Sequence, residues 1–240
     1  MTTAAEYAAL RAPLLTAASK RVPLASLAQQ ARALSLWDGK QVVPADEMQF
    51  AIVFDLGVLD PVGEHGRGID RQARAEPPPP GSPEAKLLAA LQVARFGLFT
   101  LHGPDPLGGV KAAGFPDGAP LRITDQFLGA APPGTLVGLR LVQPEADIAL
   151  TCGTTVQVDS RLLERLLNDV PPERGPVFPG PPAPDDAVAI ARLMAEPAAR
   201  LRLADLQRQP GFAARVYRTA IDLGLLGPVQ GRTPHESAMR

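Results

Sequence analysis

The stretch LVGLRLV, residues 136–142, sets Val137, Leu139 and Leu141 alternately with Gly138 and Arg140. Alternation at every second residue is the signature of a β-strand with one face on a core. Leu121 and Ile123 repeat it in LRIT, 121–124. Further short apolar runs occupy 96–101, 148–151 and 154–158, and turn residues such as Pro132-Pro133-Gly134 and Gly108-Gly109 stand between runs. Five closely spaced strands predict a small antiparallel β barrel or curled sheet in the middle of the chain. Arg140 should then point away from Leu139 and Leu141.

On either side the periodicity turns helical. Tyr7, Leu10 and Leu14 recur along one helix face, as do Leu24, Leu27, Ala31 and Leu34. Pro44 with Asp46 and Glu47 marks a helix start, because acids favour the positive end of the helix dipole. Residues 48–59 are apolar almost all round and fit a buried helix, although a strand also suits that run. Residues 63–68 read as a loop and 69–75 as one or two helical turns. Ser82, Pro83 and Glu84 open another helix as cap, first position and first-turn acid. Asp159 caps a helix bearing Leu162, Leu163, Leu166 and Leu167. Helical spacing returns through Leu201, Leu203 and Leu206, and again through Phe212, Val216, Ala220 and Leu223.

Prolines punctuate this pattern. One cluster is Pro77-Pro78-Pro79-Pro80, and the other, PPERGPVFPGPPAP, fills 171–184. Such runs favour extended polyproline II and stop helices. The expected organisation is α+β: an N-terminal helical bundle over 1–76, a helix plus the small β module over 82–170 (one domain with 1–76, or separate), a Pro-rich linker over 171–184, and C-terminal helices over 185–240, frayed at the end.

Composition narrows the function classes. With 24 basic against 25 acidic residues the formal charge is −1, which disfavours a dedicated nucleic-acid or membrane-surface protein. The single cysteine, Cys152, permits no intrachain disulfide and no multi-cysteine zinc cage. Residues 1–6 carry no basic region leading into an apolar run, and no apolar stretch is long enough to cross a bilayer, so a cytoplasmic protein is expected.

Contiguous catalytic motifs are missing. The sequence has no P-loop, no dinucleotide fingerprint, no serine elbow and no helical His pair, so no cofactor or metal is expected. His65 lies in a Gly-flanked loop and is a candidate ligand contact. His102 with Asp105, in HGPDP, and with Asp125 would make a base and its orienting acids if they converged at one end of the sheet. Arg67, Arg71 and Arg74 share a face if 69–75 is helical, where three guanidiniums would hold a phosphate or an acidic partner. Lys20 adds a basic spot. Each also has a plain reading, as a turn residue or part of a solvated face.

The region 37–167 resembles an uncharacterised bacterial protein family, chiefly alphaproteobacterial. The resemblance rests on WDGKQVV, FDLGVLD, GIDRQAR, PPPPGSPEAKLLAALQVARFGLF, LRITDQFLGAAPPGTLVGLRLV and LTCGTTVQVD. It implies a helical part followed by a small β module and brings no activity and no functional residue. The order of elements also looks like a small β module in other uncharacterised bacterial proteins, some of which carry cysteine-rich metal tails; this chain has no such tail, so that metal role does not transfer. The leading expectation is a non-enzymatic binding or regulatory protein that meets a protein partner at the β module, with Arg71 and Arg140 as polar contacts. The rivals are a hydrolase-like enzyme at His102, Asp105 and Asp125, and a nucleic-acid binder through Arg67, Arg71, Arg74 and Lys20.

Overall fold

A computed structural model describes residues 2–125, 127–168 and 186–226. The predicted linker 171–184 and the end 227–240 lie outside the described residues. The described chain is α+β, with one five-stranded sheet and helices around it. No described helix is long and apolar enough to cross a membrane.

The strands are β1 (Arg95–Pro104), β2 (Val110–Gly114), β3 (Pro120–Ile123), β4 (Leu136–Glu145) and β5 (Ile148–Gln157). β1 pairs antiparallel with both β2 and β4, β2 with β3, and β4 with β5. The remaining seam is parallel: Ile123 of β3 faces Ala149 of β5. The strand order β1-β2-β3-β5-β4 therefore closes on itself. The expectation of a purely antiparallel sheet is corrected here, because β4 follows β3 in the chain without pairing with it and β5 returns beside β3 in the same direction.

Two strand boundaries also differ from expectation. Val110–Gly114 is a strand that its small, mixed residues hid. Residues 148–151 and 154–157 belong to one strand interrupted by a bulge, and Val158 lies just past its end. Arg140 faces Cys152 and Gly138 faces Val156, so two steps along β4 (138 to 140) oppose four along β5 (152 to 156). Gly153, at φ +75°, sits in that bulge. The break in alternation made one strand read as two.

Both faces of β4 are covered. Val137 and Leu139 point into the closed sheet, against Leu101, Val110, Ala112 and Ile123. Leu136 and Val142 point outward, yet they are buried in clusters formed with helices. Those helices begin as the sequence suggested. α1 (Ala4–Ser19) opens with a Thr3/Glu6 capping box, and α2 (Leu24–Ala33) follows Pro23. α3 (Glu47–Leu59) is capped by Asp46, whose Oδ1 accepts from Gln49 N at 2.8 Å. α4 (Gly68–Ala75) is short, and α5 (Pro83–Val93) starts on Ser82, whose Oγ accepts from Ala85 N. α1, α3 and α5 pack on β4 and β5.

α6 (Ser160–Asn168) buries all four expected leucines, each contributing roughly 1.5–3 kcal/mol by removal from water. The last helices, α7 (Asp186–Ala195), α8 (Pro197–Arg208) and α9 (Phe212–Asp222), dock on this body. Gln207 of α8 is a two-way clamp: its Oε1 accepts from Leu98 N at 3.0 Å and its Nε2 donates to Phe115 O at 2.9 Å. The rings of Phe212 and Tyr217, both on α9, meet Phe96 edge-on at 6.1 and 5.1 Å. This docking leaves a cleft where β1, the end of α3 and the start of α9 approach one another.

Candidate functional site

Arg140 is the largest fully buried side chain among the described residues. It does point away from Leu139 and Leu141, but the face it points to is roofed by helices, and it is only 1% exposed. The expected solvent-facing contact at Arg140 is therefore corrected: alternation assigns a face, not what covers that face. Its Nη2 donates to Asp60 Oδ2 at 2.7 Å, and Nη1 reaches Ala94 O at 3.5 Å. Nε is buried without any hydrogen-bond partner among the described residues. Burial disfavours the charged guanidinium, but Asp60 and Asp55 outweigh that and hold its pKa above the ordinary arginine value.

Both acids come from one helix. Asp60 ends α3 and Asp55 lies in its last turns. The Asp55 carboxylate rests directly on the Gly153 bulge, where an added Cβ would lie 2.3 Å from Oδ1. Only glycine fits there, since the positive φ and the close approach each exclude a side chain. The bulge also aims the Thr154 carbonyl at Tyr217, whose hydroxyl lies 2.6 Å from Thr154 O and 2.9 Å from Asp55 Oδ2.

These distances constrain the protons. A hydroxyl has one proton and a carbonyl can only accept. With Asp55 ionised, one of the two contacts lacks a proton. With Asp55 protonated, Tyr217 donates to Thr154 and Asp55 donates to Tyr217, and both contacts are satisfied. Burial and the nearby Asp60 charge push the Asp55 carboxyl up to about 6, against opposing effects of Arg140 and Tyr217, so both contacts are satisfied in mildly acid solution and Asp55 is mostly ionised at pH 7. Burial and the Asp55 charge raise the Tyr217 phenol well above its usual value. Burial pushes the Cys152 thiol, across from Arg140, up to about 12, so it is not an activated nucleophile.

Arg140 forms part of the floor of a 420 Å³ cleft. Asp60, Arg67, Arg95 and Arg208 also line it, as does the first turn of α9 at Phe212 and Ala213. Asp55 meets a separate 350 Å³ cleft beside Thr16, Ser19 and Phe54. A larger 640 Å³ cavity lies between α1 and α5, but its lysine is already held: Lys86 Nζ lies 3.0 Å from Glu145 Oε1, which also accepts from Tyr7 at 2.8 Å. The Arg140 cleft is lined by a buried arginine, whose Nη2 is held by Asp60, and by the exposed Arg95 at its rim.

The other sequence candidates lie apart from this cluster, except Arg67. Arg67 precedes α4 and is turned inward, held by Asp70 at 2.7 and 2.8 Å and by Gln92 O at 2.8 Å. It walls the cleft instead of joining a free face with Arg71 and Arg74, which remain exposed. His65 and Lys20 are exposed. His102 is exposed on β1 and hydrogen-bonds to neither Asp105 nor Asp125. Asp105 Oδ1 accepts from Leu107 N at 2.8 Å within the β1–β2 turn. Asp125 accepts from Phe127 N at 2.8 Å and from the Thr151 hydroxyl. Both acids therefore serve turns.

Sequence reasoning missed Asp55, Asp60, Tyr217, Gly153 and Arg95. A signal for the acids was present: in FDLGVLD, 54–60, they are the only charges in an apolar run, and an acid within a buried helix requires a partner. No group of three or more metal-ligating side chains occurs among the described residues. No known protein family, curated protein or solved structure matches the chain.

Proposed function

We propose that this is a non-enzymatic binding or regulatory protein that meets a protein partner at its small β module, along the cleft floored by Arg140. The observation that carries the reading is a buried arginine, Arg140, in the lining of that cleft beside Arg95 at its rim, unpaired among the described residues. Burying a guanidinium costs several kcal/mol before any pairing, and replacing the whole Arg140–Asp60 pair by well-packed apolar residues would stabilise the sheet as well or better. A cation retained there at such cost suits recognition of an acidic group. Arg95, exposed at the rim, has no ion-pair partner among the described residues. The hydrolase reading has less support, because Asp105 and Asp125 hold turns and His102 lacks an orienting acid. The nucleic-acid reading loses Arg67 to Asp70.

The test is affinity capture with the full chain and two variants, Arg95→Glu at the cleft and Leu107→Asp at the tip of the β1–β2 turn, where the side chain is 80% exposed. A partner held by the native chain and by Leu107→Asp, but lost with Arg95→Glu, is the expected result. Loss with Leu107→Asp alone would move the contact to the end of the sheet and overturn the cleft assignment. Hydrolytic turnover abolished by His102→Ala would overturn the non-enzymatic reading.

A further inference from the structure

We propose that the group taken by this cleft is a phosphate dianion, either free or carried on a phosphorylated side chain of the partner. This rests on the cleft being the binding locus. Three sources of positive charge line it. Arg140, whose Nη2 is held by Asp60, lies buried in the lining. Arg95 is unpaired among the described residues, and the only acid on Arg208 is the exposed Asp205, at 2.8 Å. The third source is the start of α9, an 11-residue helix whose N-cap, Gly211, has no side chain to accept from the first-turn amides. Phe212 N and Arg215 N have backbone acceptors, but the amides of Ala213 and Ala214 have none among the described residues. Unpaired amides and the positive end of the helix dipole favour an anion at that point.

The number and spread of the donors select the anion. A carboxylate is planar, carries one charge and is satisfied by a single guanidinium fork. A phosphate presents three acceptor oxygens in different directions and about two charges, which matches guanidiniums and helix amides arriving from separate elements. Among the described residues Asp60 is the only acid lining the cleft, and it is already bound to Arg140. Arg67 is likewise held by Asp70, so its role is to wall the cleft.

The experiment titrates the full chain with inorganic phosphate, a phosphoserine peptide, the unphosphorylated peptide and acetate at matched ionic strength, read by calorimetry and phosphorus NMR. Phosphate or phosphopeptide should bind, acetate should not, and Arg95→Ala and Arg208→Ala should each weaken binding roughly tenfold, the scale of one lost charged hydrogen bond. Both arginines sit at the rim, so these variants keep the fold. Arg122→Ala, on β3 away from the cleft, should leave affinity unchanged. A phosphopeptide that binds much more tightly than inorganic phosphate identifies the partner's side chain as the source, and equal affinity identifies free phosphate. Phosphate affinity indifferent to Arg95→Ala and Arg208→Ala overturns the proposal, as does preference for acetate or for the unphosphorylated peptide. If no phosphate species binds while partner capture still depends on Arg95, the anion class fails and the cleft reading survives.

Discussion

Replacing Asp60 with Asn removes the counter-ion that lets Arg140 remain charged inside the fold. Arg140 is 1% exposed and its Nη2 lies 2.7 Å from Asp60 Oδ2, so in the variant a buried guanidinium faces a neutral amide. Breaking a buried pair by removing one partner costs about 3–5 kcal/mol. Two features place this case at the low end, about 3 kcal/mol. The Asp60 side chain keeps 19% exposure, so its own desolvation is incomplete. Asp55 also remains near Arg140 as a second negative charge. For a chain of this length the loss corresponds to a melting temperature lower by about 6–12 °C. Urea unfolding at pH 7 on the native chain, Asp60→Asn, Arg140→Met and the double variant measures it. Arg140→Met alone should cost about 2 kcal/mol, since Asp60 can regain water. The double variant should cost less than the sum by about 2 kcal/mol, because no buried charge is then left alone. An Asp60→Asn cost below about 1 kcal/mol, or single effects that simply add, would refute the claim that the pair is a coupled buried unit.

Asp55 gives a pH signature. Its carboxyl titrates near 3.8 when unfolded and at about 6 in the fold, so the folded chain holds a proton that the unfolded chain releases between those values. The protonated form therefore stabilises the fold at acid pH, and that contribution is lost as pH rises through about 6, by roughly 2–3 kcal/mol. Asp55→Asn should gain that much relative to the native chain between pH 4 and 7 in denaturant titrations; a difference that stays flat over that range would sink the proton count around Tyr217. Gly153→Ala should destabilise by more than about 2 kcal/mol, combining a strained positive φ with a clash on Asp55. Gly81→Ala, at φ +79° with open space around it, carries only the conformational cost of about 1 kcal/mol. Equal losses in thermal melts would mean that Asp55 does not fix the glycine at 153.

Local signals were legible without the fold. Asp46, Ser82 and Asp159 cap helices because a side-chain oxygen three residues ahead of a free amide acts within one turn of chain. The leucines of α6 and the Phe212, Val216 and Ala220 stripe of α9 are buried because periodicity records which side is apolar. The alternation of 136–142 correctly directed Arg140 away from Leu139. Tertiary structure alone decided what it points to. Asp60 is 80 residues from Arg140 in sequence, and Tyr217 is 162 from Asp55. Pairing over such separations depends on which helix covers which strand, and short-range pattern carries no record of that. The candidates His102, Asp105 and Asp125 looked related because their residue types suit catalysis; in the fold the two acids bind amides of their own turns. Arg67 was legible as a cation, but only packing against Gln92 and Asp70 made it the wall of a cleft. The sequence by itself determined most of the helices, several of the strands and the face on which Arg140 lies, and left 48–59 open between helix and strand. The fold determined that this face is interior, and burial converts an ordinary arginine into the cation at the floor of a site.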